Sequence, residues 1–187
     1  AKVSAEAWAV DGPDADSAYA TQLIFTRRQQ AGVAAPAEQA SALPPFFTLE
    51  RTLQLGLEWR VHNRLTRVTP PGVGTALSIP LLAGESVTTP DIKVSGGQVM
   101  LDIGADETLR EWHSVLARAD TLTLTAPATT AWHETWRADI SPIWHAALDG
   151  IPVVHHQSTG GEWLPTWRPW PGETASIRLS RPAGVPG

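Results

Sequence analysis

The sequence predicts an all-β protein, an antiparallel β-sandwich with room for one short helix. Three observations carry that prediction. Between Phe47 and Leu65 the apolar residues Phe47, Leu49, Leu53, Leu55, Leu57, Trp59, Val61 and Leu65 all fall on odd positions, while Thr48, Glu50, Gln54, Glu58, Arg60, His62 and Arg64 fall on even ones. Period-two alternation puts one face in a core and the other in water. Shorter runs alternate in the same way further along, and Pro and Gly interrupt them at short intervals, as in "TPPGVG", "LAGES", "LDGIP" and "WPGE". Many short strands between frequent turn signals are the mark of a sandwich or barrel. There is no βαβ rhythm and no Gly-rich phosphate loop, so a nucleotide-binding fold is not expected.

Taken in order, "SAYATQLIFTRRQ" leans toward a strand through Ile24 and Phe25. Residues 29–45, "QQAGVAAPAEQASALPP", are small, polar and alanine-rich and read as an exposed loop. The run from 47 to 65 is long for one strand, since strands are usually about 5–6 residues. Gly56 or Asn63 is the place for a bend or bulge. Arg51 and Asn63 break its apolar face, for no reason visible nearby. Val99, Leu101 and Ile103 alternate after "SGG", and Leu122 and Leu124 alternate with threonines in "TLTLT". Trp132, Trp136, Ala138 and Ile140 share a parity, as do Ala175, Ile177 and Leu179. The stretch "ADETLREWHSVLARAD" fits two periods. Leu109, Trp112, Val115, Leu116 and Ala119 lie at helical spacing behind an Asp106 cap, whereas Trp112, Ser114 and Leu116 lie at strand spacing. Periodicity alone slightly favours the helix.

The 187 residues fit a single domain, 1–187, and a chain of this length buries roughly 70% of its unfolded surface. With 42% apolar and 18% charged residues, the composition is globular. The net charge of −5 argues against nucleic acid, which needs a basic patch. Without cysteine there is no disulfide, thiolate metal site or cysteine nucleophile. No run approaches the length of apolar sequence that spans a membrane as a helix. The start at Ala1 and the end at "RPAGVPG" read as a piece cut from a longer protein.

The stretch "WLPTWRPWPGE", residues 163–173, is the leading candidate site. Trp163, Trp167 and Trp170 would form a platform for a sugar, with Glu162, Arg168 and Glu173 taking its hydroxyls. Alternatively the prolines stiffen the segment and the indoles close the sandwich, which the usual burial of tryptophan favours. Four histidines, His133, His145, His155 and His156, fall in the last third. "HET" at 133–135 fails as a zinc-protease motif, because Arg137 stands where the second histidine is needed. No metal or cofactor is expected. Glu111, Glu134, Asp139, Glu162 and Glu173 are carboxylates from which an acid–base pair could be drawn, as any domain allows. No G-x-S-x-G elbow accompanies Ser141, Ser158 or Ser176. Arg178 and Arg181 flank the last strand; a solvated face is the weightier reading there, and anion binding the other.

The segments "ERTLQLGLEW", "IPLLAGESVTT", "EWHSVL", "SPIWHAALDGIPVV" and "WLPTWRPWPGETASIRLSRPAGVPG" resemble parts of large proteobacterial membrane-associated proteins that carry no assigned activity. The likeness runs from about Glu50 to Gly187, with nothing comparable for the first 45 residues. It implies a periplasmic β-rich domain, held at the membrane by parts of the protein outside this chain. It implies that "EWHSVL" is a strand. Expected partners are other domains of the same membrane protein or other envelope proteins, with glycan as the alternative. The expected role is a non-enzymatic structural or interaction module, and the alternative is a carbohydrate-binding module using Trp163, Trp167 and Trp170.

Overall fold

The computed structural model describes residues 8–11, 24–27, 43–154 and 164–181. The chain divides into two compact units, Ala1–Ser41 and Ala42–Gly187. In the first, β1 (Trp8–Asp11) pairs antiparallel with β2 (Ile24–Arg27), so the strand expected through Ile24 and Phe25 is present. The loop expected at 29–45 lies outside the described residues up to position 42; residues 43–46 carry no regular structure.

The second unit is all-β. Its strands are β3 (Phe47–Leu55), β4 (Trp59–Arg67), β5 (Thr75–Pro80), β6 (Glu85–Val87), β7 (Lys93–Ser95) and β8 (Gln98–Ile103). They continue with β9 (Leu109–Leu116), β10 (Thr121–Thr125), β11 (Trp132–Ile140), β12 (His145–Gly150), β13 (Thr166–Trp167) and β14 (Thr174–Ser180). A six-stranded sheet has the order β13-β11-β3-β4-β9-β6. Two three-stranded sheets have the orders β5-β8-β7 and β10-β14-β12. Every pairing is antiparallel except β3 with β11, which run parallel from Phe47↔Trp132 to Leu55↔Ile140.

The long alternation from 47 to 65 is a hairpin, not one strand. Leu55 pairs with Trp59 across a turn of Gly56, Leu57 and Glu58. Directly opposed residues of an antiparallel pair face the same way. A three-residue turn therefore keeps odd positions inward on both strands, and the reversal leaves no break in parity. Leu57, which shares that parity, sits at the turn tip and is 71% exposed. Asn63 marks no bulge; it lies in regular register opposite Arg51.

The stretch "EWHSVL" is strand β9, and among the described residues no helix occurs. Trp112, Ser114 and Leu116 face the core while Leu109 and Val115 are exposed. The helical spacing of Leu109, Trp112, Val115, Leu116 and Ala119 is overruled by pairing: β9 bonds β4 along eight residues and β6 on its other side. A sheet slot with partners on both edges outweighs a weak local preference.

The inner face of the six-stranded sheet carries two apolar cores. Phe47, Leu49, Leu65, Trp112 and Trp132 pack against Leu77, Ile79, Val99, Leu101 and Ile103 of β5 and β8. Leu53, Leu55, Trp59, Val61, Leu116, Trp136 and Ala138 pack against Leu122, Leu124, Ala175, Ile177 and Leu179 of β10 and β14. One sheet is thus covered by two smaller ones, each over half of its length, in a sandwich arrangement.

Candidate functional site

Two groups of polar residues stand out. The first lies at the seam between the two cores. Glu134 on β11, Arg51 on β3, Asn63 on β4 and Ser114 on β9 lie on their strands' inward faces, Arg51 directly opposite Asn63, and all four are buried. Arg51, 2% exposed, finds an acceptor for each of its guanidinium nitrogens. Its Nε donates to Glu134 Oε2 at 3.3 Å, its Nη1 to Asn63 Oδ1 at 3.2 Å and Glu85 Oε2 at 3.5 Å, and its Nη2 to Pro80 O at 2.7 Å and Glu134 Oε1 at 3.5 Å. Asn63 Nδ2 donates to Glu85 Oε1 at 3.1 Å, and the Leu82 amide donates to Glu85 Oε2 at 2.8 Å. The indoles of Trp132 and Trp136, one from each core, donate to the two oxygens of Glu134 at 3.4 and 2.6 Å. Of these four side chains, Ser114 Oγ alone has no partner among the described residues.

Two carboxylates, a guanidinium and an amide in one place are ingredients of a catalytic site. Here they are closed off from solvent and turned upon one another. A buried guanidinium is tolerable only when its donors are matched, and the carboxylates only when theirs are. The cluster therefore reads as the polar keystone between two cores. It also explains why Arg51 and Asn63 interrupt the apolar alternation.

The second group is on the surface. Where β14 ends and β10 begins, an open cleft of about 610 Å3 is lined by Trp59, Trp144, Arg118, Asp120, Arg178 and Arg181, with Ser180 beside them. The backbone fixes its walls: the Leu179 amide donates to Asp120 O at 2.9 Å, and Thr121 pairs with Arg178. Trp144, half-buried ahead of β12, closes a turn through its amide to Ser141 O at 3.0 Å. Its Nε1 donates to Gly56 O at 3.1 Å, and its ring stands edge-on to Trp59, with centroids 6.1 Å apart and planes at 79°. The Arg181 guanidinium lies over the Trp144 ring at 5.6 Å. Among the described residues, none of the three cleft arginines is in an ion pair. Three cations against one carboxylate make this a positive spot on a chain of net charge −5.

Of the residues singled out in "WLPTWRPWPGE", Trp167 and Trp170 do not share one surface. Trp163 lies outside the described residues. Trp167 is 1% exposed: it sits in β13 opposite Trp136 and belongs to the core beneath β10 and β14. Trp170 is 74% exposed at the corner of a turn. Gly172, at φ 85°, lets that turn close, and its amide donates to Ala126 O at 2.9 Å. The Trp170 amide donates to Glu173 Oε2 at 2.8 Å, so Glu173 spends its carboxylate on the turn. Arg168 is exposed. The corner adjoins the Thr125–Thr174 end of the small sheet, whereas the cleft adjoins the Thr121–Arg178 end. The strand between them spans roughly 13 Å at about 3.3 Å per residue.

Of the histidines, His133 is half-buried on β11, His145 is exposed on β12, and His155 and His156 lie outside the described residues. Among the described residues, no three His, Asp or Glu side chains converge as a metal site. Sequence reading missed a stacked pair on the outer face of the large sheet. His62 and His113 stand directly opposite each other with rings 4.6 Å apart, and His62 Nε2 lies 3.6 Å from Glu111 Oε1. It also missed Arg118 and Trp144. Their signal would have been two loops, distant in the chain, that carry cations and an indole; nothing in the sequence says the loops meet. Compared with protein-family models, curated proteins and solved structures, the chain matches none. Fold and site together define an all-β sandwich with a cationic, indole-walled cleft.

Proposed function

We propose that the chain is a non-enzymatic interaction module of a bacterial envelope protein, working outside the cytoplasm, and that it recognises an anionic partner at the arginine–tryptophan cleft. The carrying observation is the contrast in how charge is disposed. Glu85 and Glu134 are sealed and committed to Arg51, Asn63 and two indoles, while Arg118, Arg178 and Arg181 line an open surface without ion-pair partners among the described residues. Guanidinium forks bind carboxylate and phosphate oxygens in pairs, and a fixed indole beside them supplies apolar contact. The envelope setting is supported by the resemblance of the motifs from Glu50 onward. No helix of the described residues is long and apolar enough to cross a membrane.

The test is titration of the full chain with hexaglutamate, trigalacturonate and inorganic phosphate, followed by tryptophan fluorescence. At least one anion is expected to saturate, and to bind ten-fold or more weakly when Arg118, Arg178 and Arg181 are all replaced by Gln. If no anion separates the native chain from that variant, the recognition reading fails. Proteolysis of the domain in osmotically opened but unlysed cells tests its location; full protection would count against it.

A further inference from the structure

We infer that the cleft takes an acidic oligosaccharide, a chain of pyranose rings bearing carboxylates. This rests on the recognition reading and names the class of its ligand. The walls carry the two kinds of group that such a ligand needs. Sugar rings present apolar C–H faces, and the half-buried indole of Trp144, backed edge-on by the buried Trp59, gives a surface for them. Ring carboxylates need planar donor pairs, which Arg118, Arg178 and Arg181 provide, while Ser180 and Asp120 are placed to meet hydroxyls.

The wall is already set before a ligand arrives. Trp144 is held by Gly56 O through its Nε1, by the edge contact with Trp59 and by the overlying Arg181. A side chain fixed in advance loses little rotamer freedom on binding. The volume of about 610 Å3 falls within the range of small-ligand sites, roughly 300–1,000 Å3, and the cleft is open, so a chain can continue past it. A nucleic acid fits poorly: duplex DNA carries one charge per ~1.7 Å, and three cations on a chain of net charge −5 do not answer that density. One carboxylate per ring is a far sparser charge.

The experiment follows the indole N–H signals of Trp59 and Trp144 in the full chain by NMR. The probes are trigalacturonate, its fully methyl-esterified form and hexaglutamate, each at low and at physiological salt. Trigalacturonate is expected to shift both indoles saturably and to weaken several-fold with salt. The methyl ester, with the same rings and no charge, is expected to bind at least ten-fold more weakly. Replacing Arg178 with Gln, and separately Trp144 with Phe, should each weaken the acid trimer; for the Phe variant the Trp59 signal is the reporter. The Trp136 indole, bonded to Glu134, reports whether each variant keeps its fold. Equal binding of acid and ester would overturn the acidic part of the inference. Hexaglutamate shifting the cleft where trigalacturonate does not would overturn the glycan and leave the recognition reading standing. If neither anion moves either indole, the glycan inference falls, and phosphate binding then decides the recognition reading.

Discussion

Arg51 and the three arginines of the cleft are the same side chain in opposite surroundings. Arg51 is sealed between two apolar cores, with an acceptor on every guanidinium nitrogen. Arg118, Arg178 and Arg181 stand in water beside two tryptophans. The difference teaches how to read a cation in a sheet protein. When it interrupts an inward-facing alternation, its partners are inside and its role is to hold the fold. When it stands exposed at a cleft, as these three do, no ion-pair partner among the described residues claims it.

The comparison breaks most visibly at Arg51. Arg51→Met leaves Glu85 and Glu134 buried without their cation, and removing one side of a buried pair costs about 3–5 kcal/mol. Urea denaturation should show that loss, and adding Glu85→Gln and Glu134→Gln should recover much of it. No loss in the single variant would mean the network is not the keystone described above.

Next come the tryptophans. Trp167→Phe opens space in the core and is expected to cost about 1–3 kcal/mol, while Trp170→Phe should stay within about 0.5 kcal/mol. Acrylamide should quench Trp170 freely and Trp167 little. Comparable quenching of both would revive a shared platform.

Arg110 stands in a third, intermediate setting. It bonds Glu107 at 2.6 Å near the surface, and this bond above all holds the Glu107 carboxyl below its ordinary value of 4.5. A carboxyl lowered on folding adds stability above its unfolded pKa and loses it as pH falls through the folded one. The denaturation gap between native chain and Glu107→Gln, under about 1 kcal/mol at pH 7 because water screens the pair, should close in acid. A gap that persists at pH 3 would assign the effect to packing instead.

Smallest in stability are the cleft variants. Arg118→Gln, Arg178→Gln and Arg181→Gln should each change stability by less than about 0.5 kcal/mol while weakening anion binding. A larger loss of stability would make these arginines structural after all.

Much of this fold was legible because burial follows parity. The apolar residues that the alternation marks in β3, β4, β8, β10, β11 and β14 are buried, apart from the half-buried Ile140 at the end of β11, and Leu57 at the turn tip is exposed. The hairpin at Gly56 was hidden because an odd-length turn preserves parity. β9 was ambiguous because its apolar residues satisfy both periods, and only its neighbours decide. Arg51 could not be explained from its surroundings in the chain, since its acceptors lie 12, 29, 34 and 83 residues away. Grouping Trp167 with Trp170 in one platform was misleading for a related reason: spacing gives no distinction between a strand residue such as Trp167 and a turn residue such as Trp170. Arg178 and Arg181 were visible as cations at a strand end, but the loops that bring Arg118 and Trp144 beside them were not.

The parallel seam between β3 and β11 carries a consequence for the order of events in folding. A hairpin such as β3–β4 closes over three residues, whereas the bond between Arg51 and Glu134 closes over 83. Long closures lose more chain entropy before any contact rewards them, and topologies rich in them fold slowly. Until β11 arrives, Arg51 lacks Glu134 and the edge of β3 stays unpaired, open to strands of other molecules. We therefore expect Glu134→Gln to speed unfolding far more than it slows folding; a purely slowed folding limb in stopped-flow kinetics would place the seam early instead. The same buried cation would then act as a late checkpoint, completed only when the centre of the large sheet is no longer an edge.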